Sequence, residues 1–585
     1  MFVFCVLFGM AIIAQTQSPA DGGWFWYATL FHRGRRLYAD MHLALQPVFV
    51  LETAAFLTLL GKGWLVSKVP AILHVVSYCI ALRILIRYSD FSDGQKAIIL
   101  GCGFFFPITF EAYRFDDYHV LADCLQLYSL VILLLLQKAP NLRIGLLLAS
   151  VLGILSGLAI TTRLNDGAAL LVGVALGILC LAPSKRLLSL ALFSLATGLT
   201  IVLIVSLTGD SLHNYASYSI FRAAGSKGGA GSVLVYPIRL PFQTLRWLRI
   251  NRFEDLLIAY VFAMALSWVF LLRPLARRRG PRELAMAATG ILLVFFLMLR
   301  MYRTVLDNIP VASFSAIAVL FACGLGVLVP VRLLRWLSRS VHPYVWDPRE
   351  ILLLIPVGQL ASGSMSSGGV HLGLYGPIGV LIVLLSICSP FQFKAQWPRS
   401  CLIAVATLLL CSAAIYKFND PFSWHTYREQ PLFTGRTWYR HPDYGPMIID
   451  KDLLNLIEPV CKQIGPGGPQ NNLVSLPFSY ANYFCSTPPW HDYVQTFFDT
   501  SSKQTIQTLM DELQASPPQW IFYQRQLDTL RLHEIAYNRG QPLQQRYLDQ
   551  LIEQKIAEGA WHVVFASDYG NSATWSNHWL LIKTK

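Results

Sequence analysis

The sequence predicts a polytopic α-helical membrane protein followed by a C-terminal soluble α/β domain. Of its 585 residues, 54% are hydrophobic and 14% are charged, whereas a soluble globular chain carries roughly 25% charged residues. Apolar runs of spanning length follow one another through residues 1–416, and the sequence pattern changes from Lys417 onward. The net charge of +14 does not indicate a nucleic-acid partner, because most basic residues lie in short clusters between apolar runs.

The apolar runs predict about thirteen transmembrane helices. The first run, residues 1–15, is short, since about 15 residues rise roughly 22 Å against a hydrocarbon core of about 30 Å. It also lacks the basic leader of a signal peptide, so we interpret it as a transmembrane helix and leave open whether its start is complete. The other predicted spans are residues 68–87, 96–113, 117–137, 143–161, 166–183, 186–208, 255–273, 282–299, 310–330, 350–366, 371–389 and 399–416.

Basic clusters between the spans set the predicted orientation. They include Lys138 with Arg143, Lys185 with Arg186, and the run Arg277, Arg278 and Arg279. These clusters fall on one side of the membrane if the spans alternate, and the positive-inside rule makes that side cytoplasmic. The first loop, residues 17–67, and everything after residue 416 then face outward.

One hydrophobic stretch does not fit this count as a span. It is "LALQPVFVLETAAFLTLLG", residues 43–61, and treating it as a span would invert every later loop and break the charge rule. We therefore place it as a helix lying at the outer membrane surface, within the first outer loop. Pro47 and Glu52 cost less there than in hydrocarbon.

Residues 417–585 predict an outer α/β domain. Segments rich in β-branched and aromatic residues, typical of strands, are "NNLVSLPFS", "PPQWIFYQR", "AWHVVFASD" and "HWLLIKTK". Helical spacing is found in "SKQTIQTLMDELQASP" and "QQRYLDQLIEQKIAEG", the second closed by Gly559 as a C-cap. Cys461 and Cys485 would pair in an oxidising compartment, and two unpaired thiols are an equal alternative.

Three outward segments carry charges next to hydrocarbon. They contain Asp21, then Arg114 with Asp116 and Asp117, and then Arg163 with Asn165 and Asp166. Each charge alone is consistent with an ordinary interfacial charge or a snorkelling arginine, and Asp117 and Asp166 also fit helix N-caps. Their common position, on the side of the C-terminal domain, favours a functional site over unrelated charges.

The order of these segments resembles the GT-C fold glycosyltransferases, in particular the group of protein O-mannosyltransferases and lipid A aminoarabinose transferases. The opening stretch has an acid after the first span, followed by "YATLFHRGRRLYADMHLALQPVFVLETAAFLTLLG". The segment "RFDDYHVLADCLQLYSL" resembles the second outer acidic motif of the family, and "GLAITTRLNDGAALL" resembles its Gly-Leu-x-x-x-Thr-Lys hairpin. The segment "MYRTVLDNIPVASFSAIAVL" resembles the family's Arg-Tyr…Pro element. The likeness implies a GT-C type transmembrane domain over residues 1–416.

The sequence departs from the family at its phosphate-binding position. Gln46-Pro47 replaces the usual Pro-Pro, and "MHLAL" replaces the Glu-Lys whose Lys is assigned to the donor phosphate. The remaining candidates for that phosphate are His42, Arg114, Arg163 and Arg303. The acid after the first span is followed by Gly22-Gly23 instead of a second acid, which leaves Asp21 as the one carboxylate to act there.

The resemblance implies transfer of a sugar from a polyprenyl-phosphate donor to an acceptor hydroxyl outside the cytoplasm. The leaving phosphate needs positive charge, which arginine supplies, and the acceptor hydroxyl needs a base within hydrogen-bond reach. We assign Asp21 as that base and Asp116 and Asp117 as further catalytic residues. The assigned substrate-binding residues are His42, Arg114, Arg163, Arg303 and Tyr27. The acceptor (a protein, a lipid or a glycan) and a divalent-metal requirement stay open, and no metal ligand is assigned.

Three other functions stay open from the sequence. A transporter or flippase of lipid-linked sugars usually has internal repeats and charges at mid-depth, and neither stands out here. A polysaccharide polymerase or ligase would carry Arg and His in a large outer loop between late spans. A non-catalytic scaffold would use the soluble domain to bind a partner. In every case we expect a multi-pass protein of the bacterial inner membrane, in contact with membrane lipids, with its C-terminal domain outside the cytoplasm.

Overall fold

The structure is a computed structural model that describes much of the chain. The described residues are 1–16, 19–88, 92–108, 116–182, 184–222, 348–366, 380, 383–384, 411, 414–415, 417–424, 427–465, 472–498, 500–538, 540–570 and 576–584. The predicted spans 255–273, 282–299 and 310–330 lie outside these residues, as do nearly all of 371–389 and 399–416. The predicted total of spans is therefore not tested.

The membrane region before residue 223 is helical almost throughout. Its helices are α1 (Phe2–Gln15), α2 (Pro19–His32), α3 (Val48–Leu60), α4 (Trp64–Ile86), α5 (Asp93–Ile108), α6 (Tyr118–Gln137), α7 (Leu142–Thr162), α8 (Leu164–Leu181), α9 (Arg186–Leu207) and α10 (Leu212–Tyr215). Helix α10 continues into a π-helical segment, Ala216–Arg222. Further along the chain, a 3₁₀ turn, Pro348–Leu353, leads into α11, Leu354–Ser366.

The sequence-predicted spans agree with the helices in the described part of the membrane region. Helices α4, α6, α7, α8 and α9 are long and apolar enough to cross a membrane, and each lies within a few residues of a predicted span. Helix α11 ends at Ser366, the last residue of the predicted span 350–366. The serines and glycine within it do not end the helix earlier, since a helix satisfies backbone groups that lipid cannot.

Small residues let α7 approach α9 closely. A Cβ atom on Gly153 would overlap the Phe193 carbonyl oxygen, and one on Gly157 would lie 2.7 Å from the Thr200 Cβ. Across the same interface, the Thr197 hydroxyl donates to the Gly153 carbonyl at 3.1 Å. Close backbone approach and interhelical hydrogen bonds stabilise helix pairs in lipid, where apolar burial alone gives no preference for protein.

The hydrophobic stretch at residues 43–61, which was not counted as a span, contains the short helix α3. Its 13 residues rise about 20 Å, less than the roughly 30 Å of a hydrocarbon core. Glu52 of α3 pairs with the His74 Nε2 atom of α4 at 2.8 Å, while Leu59 and Leu60 near its end are exposed. A helix of this length agrees with the prediction that the segment does not span.

The C-terminal region combines two small hairpins with a four-stranded sheet. Its elements are β1 (Ser423–Trp424), β2 (Tyr427–Arg428), β3 (Arg436–His441), β4 (Gly445–Asp450), α12 (Lys451–Ile464), β5 (Leu473–Leu476), α13 (Tyr480–Phe484), a 3₁₀ turn (Trp490–Asp492), α14 (Lys503–Ala515), β6 (Trp520–Arg525), α15 (Leu527–Tyr537), α16 (Gln544–Ala557), β7 (His562–Ser567) and β8 (His578–Lys583). The four predicted strands are β5, β6, β7 and β8, and the two predicted helices are α14 and α16. The hairpins were not predicted, because 417–450 lacks a clear alternation of apolar residues. Helices α12, α13 and α15 were not predicted either.

The main sheet has the order β5-β6-β8-β7, with β5 parallel to β6 and β8 antiparallel to both of its neighbours. One face buries Phe522 and Trp579 in a core that continues into the first outer loop of the membrane region. The other face buries Ile521 and Ile582 against α14 and α16. Two layers of apolar contacts therefore tie the sheet to its own helices and to the membrane region.

The two cysteines of this region form a disulfide. Cys461 lies in α12 and Cys485 directly follows α13, and their sulfur atoms are bonded. The sequence left the paired and unpaired states equal. The structure decides for pairing because the core brings the ends of α12 and α13 together.

Aromatic rings join helix α2 to the C-terminal region. Phe25 meets the rings of Tyr444 and Tyr483 edge-on at centroid distances of 4.7 and 5.2 Å, and those two rings stack at 4.9 Å. The close approach depends on Gly22, where a Cβ atom would lie 2.9 Å from the Tyr483 Cβ and 3.0 Å from the Ser479 carbonyl oxygen. Gly23 has room, with the nearest atom 4.0 Å away.

His441 is a buried, neutral histidine at this junction. Its Nδ1 atom accepts from the backbone N–H groups of Asp443 and Tyr444 at 3.1 and 3.2 Å, so its Nε2–H donates to the Phe484 carbonyl at 2.9 Å. Its ring stacks on Tyr444 at 4.3 Å. Burial lowers the pKa of His441 from its usual 6.5, since a charged imidazolium would lose solvation.

We expect Gly22→Ala to destabilise the protein by about 1–3 kcal/mol, because the added methyl group overpacks the contact with Tyr483. The matched control is Gly23→Ala in the same helix, which gains up to about 1 kcal/mol of helix propensity without a clash. Thermal unfolding in detergent measures both. Equal melting temperatures for the two variants would contradict the close contact.

We expect acid to destabilise the protein through His441. Its pKa is lower in the folded state than in the unfolded state, so the unfolded chain takes up the proton first as the pH falls below about 6.5. Stability is then retained above 6.5 and lost below it. His441→Gln keeps an amide donor without a titrating ring, and should flatten the fall in melting temperature between neutral and mildly acidic pH. The control His562→Gln, at an exposed strand position, should keep the wild-type slope.

Candidate functional site

A buried ion pair lies at the ends of the membrane helices that are next to the C-terminal region. The Lys68 Nζ atom of α4 is 2.5 Å from an Asp116 oxygen, and both side chains are at most 5% exposed. Lys68 also donates to the Thr16 carbonyl at 3.0 Å, just after α1 ends. One ammonium group therefore joins α1, α4 and the segment before α6.

Lys68 was not among the sequence-predicted site residues. A signal was present, because it is a charged residue inside the apolar stretch "WLVSKVPAIL" at the start of a predicted span. Charges in such positions are costly and usually have a buried partner or a function. Its partner lies 48 residues away, which the sequence pattern does not reveal.

Asp117, next to Asp116, caps helix α6. Its carboxylate accepts from the His119 backbone N–H at 2.6 Å and pairs with the His119 Nδ1 atom at 2.7 Å. The N-cap interpretation is thus confirmed. One oxygen of the Asp117 carboxylate is bonded to the backbone of α6. The predicted catalytic role of Asp117 stays a prediction.

The turn between α7 and α8 carries a second buried ion pair. The Arg163 guanidinium is 2.5 Å from an Asp166 oxygen, and the two side chains are 11% and 3% exposed. The N-cap interpretation of Asp166 is wrong, because α8 begins at Leu164 with Arg163 at the cap position. Asp166 lies in the first helical turn instead, where a carboxylate is favoured by the helix dipole and by its arginine.

A further buried acid lies in helix α6, close to the charges of the second ion pair. Asp123, in the second turn of α6, is 3% exposed, and one of its carboxylate oxygens is buried without a hydrogen bond. It interacts electrostatically with Asp166, Arg163 and Asp117. The second and third outer segments therefore converge, although they are distant in sequence. Asp123 was missed, because one acid within an apolar helical run gives no signal of what it faces.

Helix α2 brings its aromatic residues to this cluster. Trp24 packs edge-on against Tyr118 at a centroid distance of 5.6 Å, and Tyr118 stacks on His119 at 4.2 Å. Asp21 lies three residues before Trp24 in the same helix, and its side chain is outside the described part. Tyr27 is a core residue, only 3% exposed, with its ring 6.4 Å from that of Trp24.

His42 lies in a different group of outer residues. Its backbone is left-handed, with φ of 53°, and its ring stacks on Tyr218 at 5.6 Å and lies 6.4 Å from Tyr493. Burial lowers the pKa of His42 below its usual 6.5, and the charge of Arg222 lowers it further. At neutral pH it would offer a hydrogen bond, not a positive charge. Arg222, over the Tyr218 ring at 4.0 Å, is the cation of this group that the sequence did not suggest.

The basic turn after α2 holds the first outer loop to its surroundings. Arg35 pairs with Asp492 of the C-terminal region at 3.0 Å, and Arg36 pairs with Asp40 at 2.8 Å. Both arginines are more than half exposed, so each pair contributes little stability. The predicted substrate-binding residues Arg114 and Arg303 lie outside the described residues.

Two solved structures are among those to which this chain is similar. An oligosaccharyltransferase of Archaeoglobus fulgidus, in complex with zinc and sulfate, is 12% identical with a TM-score of 0.45, over 93% of this chain and 70% of that chain. ArnT from Cupriavidus metallidurans, bound to undecaprenyl phosphate, is 11% identical with a TM-score of 0.39, over 99% and 97% of the two chains. No protein-family model and no curated protein matches the sequence.

Carboxylates and cations lie together here under low solvent exposure, namely Lys68, Asp116, Asp123, Arg163 and Asp166. Such a setting strengthens electrostatic interactions with any charged group that enters it. In the part of the chain that the structure describes, no three His, Cys, Asp or Glu side chains are grouped to hold a metal ion. The chemistry available from the described side chains is proton transfer at carboxylates and charge stabilisation by Lys68 and Arg163.

We expect Lys68→Met to destabilise the protein by about 3–5 kcal/mol, because it leaves the Asp116 carboxylate buried without its ammonium partner. The double variant Lys68→Met/Asp116→Leu removes both charges and should recover most of that loss. Lys185→Met, at an exposed lysine, is the matched control and should melt like the wild type. If the double variant is no more stable than Lys68→Met, the two side chains do not act as a pair.

Proposed function

We propose that this protein is a membrane glycosyltransferase that moves a sugar from a polyprenyl-phosphate donor to an acceptor hydroxyl at the outer membrane boundary. The observation that carries the proposal is the convergence of buried charges at the outer ends of α4, α6 and α8. Lys68 with Asp116 and Arg163 with Asp166 are nearly inaccessible to solvent. Apolar residues of similar volume would stabilise the fold at least as well, since buried ion pairs seldom stabilise a fold.

The position of the cluster suits a lipid-linked donor. A polyprenyl tail gains about 0.8 kcal/mol for each buried CH₂ group, so the donor is confined to the membrane and its phosphate lies at the interface. The cationic groups of Lys68 and Arg163 are within a turn or two of helix ends, where that phosphate would be. Both are committed to carboxylates in this state, and a bound phosphate would compete for them.

Asp21 is the proposed general base. Its carboxylate would take the proton of the acceptor hydroxyl as the oxygen bonds to the anomeric carbon of the donor sugar. The bond from that carbon to the phosphate oxygen breaks, and polyprenyl phosphate leaves with the electron pair. The leaving group is a stable anion, so it needs positive charge more than a proton. Arg114 and Arg303, with Lys68 and Arg163, are the proposed cations.

His42 and Tyr27 receive modified roles in this proposal. His42 is neutral and next to Arg222, so together they would bind polar groups of the acceptor or sugar instead of the phosphate alone. Tyr27 is buried among aromatic residues, so it would shape the wall of the site without touching the reacting atoms. Asp116 and Asp117 would orient Lys68 and helix α6 around the donor.

We expect Asp21→Asn to lower sugar transfer by about 10²–10⁴-fold, the range that a general base contributes, with normal folding. Lipid extracts of cells lacking the protein should accumulate one polyprenyl-phosphate sugar, and Asp21→Asn should reproduce that accumulation where the wild type removes it. Asp93→Asn, at an exposed acid before the body of α5, is the control and should behave as the wild type. Unchanged lipids in the Asp21 variant would remove this residue from the mechanism.

Transfer must then be reproduced with purified protein in detergent, with the accumulated lipid as donor. Detergent solution has no separate compartments, so release of polyprenyl phosphate there cannot arise from transport and would exclude a flippase. A parallel reaction with a metal chelator tests the divalent-metal requirement. If the donor accumulates in cells but is not consumed in detergent by any acceptor fraction of the envelope, a transport function takes precedence.

A further inference from the structure

The hairpin of β3 and β4 is bonded to membrane helices at both of its ends. The Phe433 backbone N–H, just before β3, donates to the Gln15 Oε1 atom at the end of α1, at 3.0 Å. The Tyr444 carbonyl, in the turn between the strands, accepts from the Trp64 backbone N–H at the start of α4, also at 3.0 Å. The chain between these bonds, residues 434–443, therefore runs along the ends of α1 and α4.

The start of α4 marks the level at which hydrocarbon begins. This helix is long and apolar enough to cross a membrane, and its 23 residues rise about 34 Å against a core of roughly 30 Å. The exposed residues Leu65, Leu73 and Ile80 lie on one face of α4, because each is close to two helical turns from the next. This apolar face begins directly after Trp64, so it begins beside the hairpin turn.

The two faces of the hairpin have different surroundings. One face is buried with Met447 in the core that α2 and the C-terminal region share. The other face carries Trp438 opposite Ile448 and Arg440 opposite Pro446. Trp438 is 75% exposed, and Arg440 and Pro446 are exposed as well. A hairpin whose open face meets water normally carries polar residues there, so a large aromatic residue in this position indicates a different environment.

Phe433 adds a second exposed aromatic residue at the same boundary. Its backbone is left-handed, with φ of 69°, a conformation that bulky residues rarely adopt, and it is 66% exposed. Its ring lies 5.9 Å from the Phe418 ring, which in turn lies 4.7 Å from the Phe8 ring of α1. A series of rings thus leads from a membrane helix to an exposed phenylalanine.

Tryptophan and arginine together suit the surface of a bilayer. The indole ring is amphipathic and prefers the level of the lipid headgroups, while a guanidinium binds phosphate through several donors. Among the described residues, no carboxylate pairs with Arg440. Its charge is therefore available to a lipid phosphate.

We propose that the exposed face of β3 and β4, together with Phe433, rests on the lipid headgroups of the leaflet next to the C-terminal region. Trp438 would lie among the headgroups, and Arg440 would bind a lipid phosphate. A protein partner suits this face less well, because both ends of the hairpin are held at helix ends that lipid surrounds. The contact would fix the height of the C-terminal region above the bilayer. It does not depend on the proposed glycosyl transfer.

The test is site-directed spin labelling of the full-length protein in nanodiscs of phosphatidylethanolamine and phosphatidylglycerol. A nitroxide is attached at Trp438→Cys or at Arg440→Cys, and the second of these leaves the tryptophan in place. Both are made on a Cys411→Ser background, which removes an exposed native thiol. Power saturation compares collisions with oxygen, which concentrates in the bilayer, and collisions with a nickel chelate, which stays in water.

Tyr547→Cys on the same background is the matched control. This aromatic residue is also exposed, but its helix α16 packs on the other face of the main sheet from the core that reaches the membrane region. We expect the ratio of oxygen to nickel collisions to be several-fold higher at positions 438 and 440 than at 547. All three positions are exposed, so the three variants should melt like the wild type.

Equal ratios at the three positions would place the hairpin face in water and overturn the proposal. Spin–spin broadening that disappears on dilution with unlabelled protein would assign the face to a second copy of the chain, which also overturns it. Protection of positions 438 and 440 from both reagents would show that protein covers the face, with the same consequence. A high ratio at 440 with Trp438 intact supports the proposal independently of the label at 438.

Discussion

The contact between the Lys68 ammonium and the Asp116 carboxylate constrains the end of the membrane region that is next to the C-terminal region. Neither charge tolerates burial alone, so the segments that carry them must meet. Because Lys68 also donates to the Thr16 carbonyl, the end of α1 is held at the same point. Helix α2 starts three residues after Thr16, and the position of its first turn therefore depends on this pair.

The first outer loop is held between this charged centre and the C-terminal region. On the membrane side, two hydrogen bonds hold the loop. Asp210 accepts from the Tyr38 backbone N–H at 2.8 Å, and the Tyr215 hydroxyl donates to Gln46 at 2.6 Å. From the other side it is held by the aromatic contacts of Phe25 and by the close approach at Gly22. The loop is thus held from both sides, as a site requires if it is to keep reacting groups in place.

In the proposed reaction, a lipid-linked donor would stay with the helices because its tail is apolar, and its phosphate would lie at the interface. The acceptor hydroxyl would reach that phosphate from the side of the C-terminal region. The first outer loop lies between these environments. It packs against both, so that α2 and the C-terminal region share one continuous apolar core.

Local patterns in the sequence determined much of what the structure contains. Continuous apolar runs predicted α4 and α6–α9, because a segment in lipid must satisfy its backbone within itself. Alternation and β-branched residues predicted β5–β8, and Asp117 was recognised as an N-cap because capping depends on adjacent residues alone. These features need no information about distant parts of the chain.

Only the tertiary structure decided which charges meet. In the structure, Lys68 pairs with Asp116. Asp166 lies beside Arg163 in the first turn of α8 instead of at its cap. Asp123 interacts with charges of both segments. The structure also chose the Cys461–Cys485 disulfide over two thiols. Hydropathy and spacing describe how each residue relates to water and to its neighbours in sequence. The partner of a buried charge is instead set by how whole helices pack, and that depends on residues far apart in the chain.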